Sequence, residues 1–363
     1  MRVTHPLVTG AIGRNPLGAA PPRPHASTVT DLPPPPIALL ELATGYQRAR
    51  TLFSLVELGV PTLLADGALA RDELAQRLGV HPLAADRFLN ACVALGLLER
   101  RGALFRNAPL AAEFLVCDRP TYLGDELLLH ARNAYDLWSD LTNTLRRWQP
   151  GATDGAAPSD DDQGPDAMRG QHNLARLVGH ALGRAFDFSP YRSLLDLGGG
   201  TGAMALSLCA LYPALRATVF DVPAVADAAR EYVEAERLAD RVTVVEGNFK
   251  SDPLPDGYDV ALLANLLSVS SEETNRALLR RLHAQLPEGG AVILSGWILD
   301  DGRTSPTIPV LFCLQDIGWY APDVERSAGT YLAWLREAGF RDVEHRALTP
   351  PTSVVVGRKR AAA

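Results

Sequence analysis

The sequence predicts an α/β protein: a mostly parallel sheet wrapped by helices, preceded by a smaller helical domain with a winged-helix pattern. Three observations carry this. From residue 167 on, strand candidates around Leu194, Ala217, Val242, Val260, Val292 and Val354 alternate with helical stretches, the order that builds a sheet with helices on its faces. A run of glycines, Gly198-Gly199-Gly200-Thr201-Gly202, stands between a short apolar strand and an apolar helix. Further back, two short helices and a hairpin follow one another between residues 70 and 105.

The chain is long enough for two domains, with 363 residues of which 47% are hydrophobic. A net charge of −7 argues against a general nucleic-acid or membrane-surface binder. The four cysteines, Cys92, Cys117, Cys209 and Cys313, lie far apart and have no metal or redox spacing. They read as reduced thiols, which fits a cytoplasmic protein, and no metal is expected. No apolar run is long enough to span a bilayer. Residues 1–36 end in four prolines and read as a disordered tail; their prolines oppose the amphipathic helix of a transit peptide.

The helical domain is expected over 37–149. Ile37–Leu58 carries Leu39, Leu42, Tyr46, Ala49, Phe53 and Val56 at helical spacing. A short helix over Ala70–Gly79 ends at glycine, a second starts at His81-Pro82 and runs to Leu95, and Leu97–Phe105 reads as a small hairpin. In DNA-binding proteins the second helix of this pattern enters the major groove. Here it holds few polar groups, Asp86, Arg87 and Asn90, and too little positive charge to neutralise phosphates. Residues 150–167, with Pro, Gly and the acids Asp154, Asp160, Asp161 and Asp162, read as a flexible loop. The sheet domain is expected over 168–358.

The glycine turn is the most informative segment. Glycine permits φ > 0 and lets a ligand approach the backbone, and a strand–turn–helix unit at the carboxyl edge of a parallel sheet cradles a nucleotide. Asp221 follows Gly202 by 19 residues, after the apolar Ala217–Phe220, where a carboxylate accepts both ribose hydroxyls. The dinucleotide fingerprint is met only loosely, by Gly198, Gly200 and Ala203. Beyond the one turn, no basic group or free helix start is evident to hold a pyrophosphate. The alternative is a turn that is merely structural.

Asp196-Leu197-Gly198-Gly199-Gly200-Thr201-Gly202 followed by Phe220-Asp221-Val222-Pro223 resembles the class I S-adenosylmethionine-dependent methyltransferases. More narrowly, the chain resembles the plant-type O-methyltransferases and their bacterial natural-product relatives, such as the acetylserotonin and hydroxyneurosporene enzymes. Phe186-Asp187-Phe188-Ser189, Gly247-Asn248-Phe249, Asp252-Pro253-Leu254-Pro255, Glu325-Arg326-Ser327 and Ala338-Gly339-Phe340 extend the likeness over residues 37–358. The resemblance implies a Rossmann-like methyltransferase domain and a homodimer made by the helical domain. It implies S-adenosylmethionine as cofactor, a small-molecule acceptor, and neither nucleic acid nor membrane as partner. It assigns cofactor binding to Asp196, Gly198, Gly200, Gly202, Asp221, Val222, Asn248, Phe249 and Asn265. Asn248 stands where many relatives have aspartate; its side-chain oxygen can still accept from the adenine amino group. Phe249 reads equally as a purine-stacking ring or a core aromatic.

The site of chemistry departs from the family. Relatives carry Asn-x-x-His-Asp-Trp after the fourth strand, and this chain has Asn265-Leu266-Leu267-Ser268-Val269-Ser270. Ser268 replaces the histidine that removes the acceptor's proton, and an unassisted hydroxyl is no base near neutral pH. Of the two glutamates that orient that histidine, one matches Glu325; the other falls near Gly296-Trp297, where no carboxylate remains. Three readings follow. Another group acts as base: Asp316 in an apolar pocket, His130 on a helix resembling the family's acceptor-binding helix, or, less directly, His172 or His180. Or no base is needed, because an amine, an enolate carbon or an ionised hydroxyl attacks once aligned. Or the cofactor is retained for another reaction, or by an inactive partner. The acceptor pocket is expected to draw on Trp138, Phe312, Gln315, Asp316, Trp319 and Tyr320, a mix suited to a cyclic or aromatic metabolite. His283 reads as a surface residue.

Overall fold

The computed structural model describes residues 35–148, 165–316 and 327–360. Among them, those up to Tyr46 form one compact unit and those from Gln47 onward a second. Most of the proline-rich tail and residues 150–164 of the expected loop lie outside the described residues.

Helix α1 (Ile37–Ala43) buries none of its residues. Thr44 follows it, donating Oγ1 to Leu40 O at 2.7 Å, and α2 (Gly45–Glu57) begins one residue later. The single helix expected over Ile37–Leu58 is therefore two. A hydroxyl that bonds back onto the preceding turn, next to a glycine, interrupts it.

The second unit continues with α3 (Val60–Leu63), β1 (Leu69–Ala70), α4 (Arg71–Leu78), α5 (Pro82–Ala94), β2 (Leu98–Arg101), β3 (Leu104–Asn107), α6 (Pro109–Phe114), α7 (Gly124–Ser139) and α8 (Leu141–Arg147). Gly79, at φ +65°, ends α4. The α5 start is fixed by Pro82 and by the His81 ring, whose Nδ1 accepts from Leu83 N–H at 3.2 Å. The hairpin β2–β3 gains β1 as a third strand. Leu55, Leu74, Leu89, Leu98 and Phe105 make its core.

The sheet domain runs α9 (Pro165–Ala185), β4 (Ser193–Leu197), α10 (Ala203–Leu211), β5 (Arg216–Asp221), α11 (Pro223–Ala235), β6 (Val242–Glu246), β7 (Val260–Ala264), α12 (Glu272–Gln285), β8 (Ala291–Gly296), α13 (Thr307–Asp316), α14 (Ala328–Glu337), β9 (Arg341–Thr349) and β10 (Thr352–Arg358). Its seven strands lie in the order β6-β5-β4-β7-β8-β10-β9. The first five are parallel; β10 is antiparallel to both β8 and β9. β9 is the strand not foreseen. It is an edge strand, largely exposed and charged, so it lacks the apolar run by which the others were found.

Strand alternation sorts the core into two layers. Leu194, Val260, Leu262, Ala291, Ile293, Val354 and Val356 face one cluster, with Leu182 of α9 and Leu208 of α10. Leu195, Leu197, Ala261, Leu263, Val292, Leu294 and Val355 face the other, with Leu278 and Leu282 of α12 and Leu335 of α14. Each residue step changes face, so continuous apolar strands fill both layers. The strand order reverses at β4, which leaves a crevice at the carboxyl ends of β4, β5 and β7, where ligands of such sheets bind. His283 is half-buried, not a surface residue: its ring meets Phe340 edge-on at 4.9 Å, which brings α12 against the segment before β9.

Candidate active site and cofactor pocket

A cavity of about 350 Å³ opens at that crevice. It is lined from four strand ends: Gly198 after β4, Phe220 to Val222 at β5, Gly247 to Lys250 after β6, and Ala264 to Leu266 with Val269 after β7. Gly198, Gly200 and Gly202 hold φ of +65°, +57° and +75°, which L side chains rarely adopt. A Cβ at Gly198 would stand 2.5 Å from Leu266 Cδ1, and one at Gly247 2.3 Å from the Phe220 ring. Backbone and cavity therefore meet directly at these glycines.

Asp221 ties the turn to the next strand. Its Oδ2 accepts from Gly200 N–H at 2.8 Å and its Oδ1 from Val222 N–H at 2.7 Å. Each oxygen keeps a second lone pair, and the residue lines the cavity. Asp196 lies beneath the turn, fully buried. Oδ2 accepts from Ala205 N–H at 3.2 Å, and Oδ1 has no partner among the described residues. Burial pushes this carboxyl up to about 7, with the Asp221 charge adding to the effect.

In the loop after β6, Asn248 Oδ1 accepts from Lys250 N–H at 3.0 Å, and the Asn248 backbone N–H donates to Asp252 Oδ2 at 2.8 Å. The loop is thus held by its own polar groups, and among the described residues one Asn248 lone pair and the amide NH₂ have no partner. Phe249 packs against the second core layer, as a core aromatic would, and also lines the cavity. Lys250 Nζ lies 5.8 Å from its ring centroid, a cation at the cavity that the sequence reading did not single out.

The residues after β7 are specific in their contacts. Ser268 sits in a short 3-10 turn, Leu267–Val269, and donates Oγ to Asn265 O at 2.8 Å. Asn265 has φ +53°, a left-handed conformation that asparagine tolerates better than most residues. Its Oδ1 fills the space beside Gly296, 2.8 Å from where a Cβ would be. A side chain at 296 would have to displace the Asn265 amide.

Of the six expected acceptor residues, Trp138, Phe312 and Gln315 have described contacts. Trp297, directly after β8, meets Phe312 of α13 edge-on at 4.8 Å. One turn on, Gln315 Oε1 accepts from Trp138 Nε1–H of α7 at 3.0 Å. His130 on α7 has Glu126 Oε1 3.5 Å from its Nε2, and the other Glu126 oxygen is buried with no partner among the described residues. Sequence reasoning found His130 but not Glu126, although their four-residue spacing puts both on one helix face. Trp297 was passed over except as a place where a carboxylate is lacking. Asp316 closes α13; its side chain, like Trp319, Tyr320 and Glu325, lies outside the described residues. His172 is buried, and burial pushes it down to about 4, with nearby Arg176 adding to the effect; it faces the turn, not an open acceptor. His180 is half-buried on the same helix. No cluster of three or more metal-ligating side chains occurs among the described residues. No helix among them is long and apolar enough to cross a membrane.

A cavity at the carboxyl edge of a parallel sheet, with a glycine turn on one side and a carboxylate on the next strand, defines a nucleoside-binding α/β protein of the methyltransferase type. The comparisons agree. The O-methyltransferase domain model matches residues 152–341, and the O-methyltransferase dimerisation domain model matches residues 40–117. The chain belongs to the S-adenosylmethionine-dependent O-methyltransferase family. It is 35% identical to the tetracenomycin polyketide synthesis 8-O-methyl transferase of Streptomyces glaucescens over 88% of this chain and 96% of that protein. It is 36% identical to an N,N-dimethyltransferase of Streptomyces rimosus, over 86% and 94%. The crystal structure of human N-acetylserotonin methyltransferase in complex with S-adenosylmethionine superposes with a TM-score of 0.79 at 27% identity, covering 92% of this chain and 99% of that one.

Proposed function

We propose that the protein transfers the methyl group of S-adenosylmethionine to a hydroxyl of a small cyclic or aromatic secondary metabolite, and that it works as a homodimer. The observation that carries this is the cavity shared by the glycine turn and Asp221. The cofactor, when bound, supplies an electrophilic methyl on a sulfonium. Asp221 offers its two remaining lone pairs to the ribose hydroxyls. The Gly198–Gly202 backbone lies against the methionine part. Asn248 and Phe249 meet the adenine, the first by hydrogen bonds and the second by its ring. Asp196, Val222 and Asn265 complete the cofactor side.

On the acceptor side, His130 is the proton acceptor, oriented by Glu126 as a carboxylate orients the imidazole in other acid–base pairs. Its support is the Glu126 contact and its place on α7, the helix that reaches α13 through Trp138 and Gln315. Ser268 holds the end of β7 to its turn through Asn265 O rather than accepting the proton. The family pattern assigns Asp316 and Glu325 to the acceptor side as well. Relatives that bear the names of polyketide, naphthoate and acetylserotonin O-methyltransferases favour an aromatic hydroxyl as the attacked group. Incubation with S-adenosylmethionine and a panel of polycyclic phenols, followed for S-adenosylhomocysteine release and a methyl ether by mass spectrometry, tests this. Turnover to an N- or C-methyl product alone would overturn the oxygen assignment.

A further inference from the structure

Thr201 is the one residue of the Gly198–Gly202 turn with a side chain. A turn of glycines has no side chains to hold its shape, and glycine loses the most backbone freedom on ordering. Anything that fixes the turn from outside must use its backbone or this hydroxyl. The backbone bonds are made on the sheet side: Gly198 N–H to Phe220 O at 2.8 Å and Gly200 N–H to Asp221 Oδ2 at 2.8 Å.

The hydroxyl is used on the opposite side. Thr201 is buried, and its Oγ1 shares a hydrogen with Nδ1 of the buried His172 at 2.8 Å. The same imidazole stacks on Tyr232 of α11, with centroids 3.7 Å apart and planes 12° from parallel. His172 thus joins α9, the turn and α11, the helix that follows the Asp221 strand. The stack fixes the plane of the ring, and the plane fixes where Nδ1 meets the hydroxyl. Arg176, one turn along α9, is paired to Glu236 beyond the end of α11, so the two helices are also held together beside the ring.

We propose that His172 is a positioning residue for cofactor binding: through Thr201 it sets the glycine turn in its ligand-ready shape before the cofactor arrives. This rests on the assignment of the cavity to S-adenosylmethionine. A turn already in shape loses less entropy on binding, which appears as affinity.

The test is calorimetric titration of the full chain with S-adenosylhomocysteine and, separately, adenosine. His172→Phe keeps a ring on Tyr232 and removes the hydrogen bond. His172→Asn puts a polar atom where Nδ1 was and removes the stack. Thr201→Val removes the hydroxyl at constant shape. Losing one such bond costs roughly five- to tenfold in affinity. His172→Phe and Thr201→Val are expected each to weaken S-adenosylhomocysteine by that factor, and the double variant no further than the weaker single one. His172→Asn is expected to recover most of the loss. Adenosine, which lacks the methionine part that meets the turn, is expected to change less than S-adenosylhomocysteine. A role in filling space alone predicts the reverse order, with Phe tolerated and Asn not, and that order overturns the proposal. So do fully additive losses, or His172→Phe binding within twofold of the parent. Failure of the parent to bind S-adenosylhomocysteine would instead overturn the cavity assignment, and the inference with it.

Discussion

The cofactor edge of the sheet and the acceptor side around α7 and α13 differ in what holds them. At the cofactor edge, consecutive residues do the work: a strand, a turn and a helix within Ser193–Leu211, then Asp221 one strand over. Backbone geometry dictates the residues, because three positions at φ +57° to +75° favour glycine. On the acceptor side, contacts join residues far apart in the chain, as Trp138 to Gln315 or Trp297 to Phe312. There the side chains carry the specificity and can change without altering the fold. The first region is therefore legible from a continuous stretch of sequence, and the second is assembled only in the fold.

The comparison breaks most visibly at Gly198. Gly198→Ala would combine a left-handed φ with a methyl 2.5 Å from Leu266. It is expected to weaken S-adenosylhomocysteine binding by about a hundredfold, the turn being strained and the cavity wall displaced together. Affinity within threefold of the parent would mean that the turn is not the cradle. His130→Ala tests the other side. It is expected to lower kcat/KM for a phenolic acceptor by roughly a hundredfold, the usual scale for a general base, while S-adenosylhomocysteine affinity stays within twofold. Equal losses in both would remove the distinction between the two regions.

Legibility followed the same division. Six strands were found from apolar runs, and the turn, Asp221 and the start of α10 from local pattern. The break between α1 and α2 was missed because a Thr-Gly pair inside an apolar periodicity is a weak stop. β9 was missed because it is polar and exposed at an edge. Glu126 was passed over since a carboxylate on a helix is usually a solvated one; only the structure buries one of its oxygens. The role of Gly296 was invisible in sequence, because the group that fills its space, the Asn265 amide, comes from the residue just after the neighbouring strand β7.

Gly296→Ala sharpens the boundary between the regions. Its methyl would displace the Asn265 amide, and with it the carbonyl that receives Ser268 Oγ. A loss of about 1–3 kcal/mol in stability, the cost of overpacking, with a smaller fall in cofactor affinity, is the expected result in urea unfolding and calorimetry. No change in either would show that the space beside Gly296 is free.

The last effect concerns pH and stays beneath the glycine turn. Asp196 holds its proton up to about 7 in the fold, against 3.8 for an ordinary aspartate. Its contribution to stability is present at low pH and is lost as pH rises towards 7. His172 stays neutral down to about 4, against 6.5. Its contribution is present above 6.5 and is lost as pH falls towards 4. Between pH 4.5 and 6.5 the two slopes oppose each other, each at about 1.4 kcal/mol per pH unit at most. Asp196→Asn leaves the histidine slope alone, so its stability relative to the parent is expected to rise with pH across that window. A parallel pair of urea midpoints would contradict it.

The measurement that tests the account most directly is calorimetric titration of the parent and Asp221→Ala with S-adenosylmethionine and S-adenosylhomocysteine. The account expects micromolar binding of both by the parent and a loss of about a hundredfold in the variant, from two charge-assisted hydrogen bonds to the ribose. Parent and variant binding alike would contradict it, because the cavity at the carboxyl edge of β4 and β5 would then not be the cofactor site.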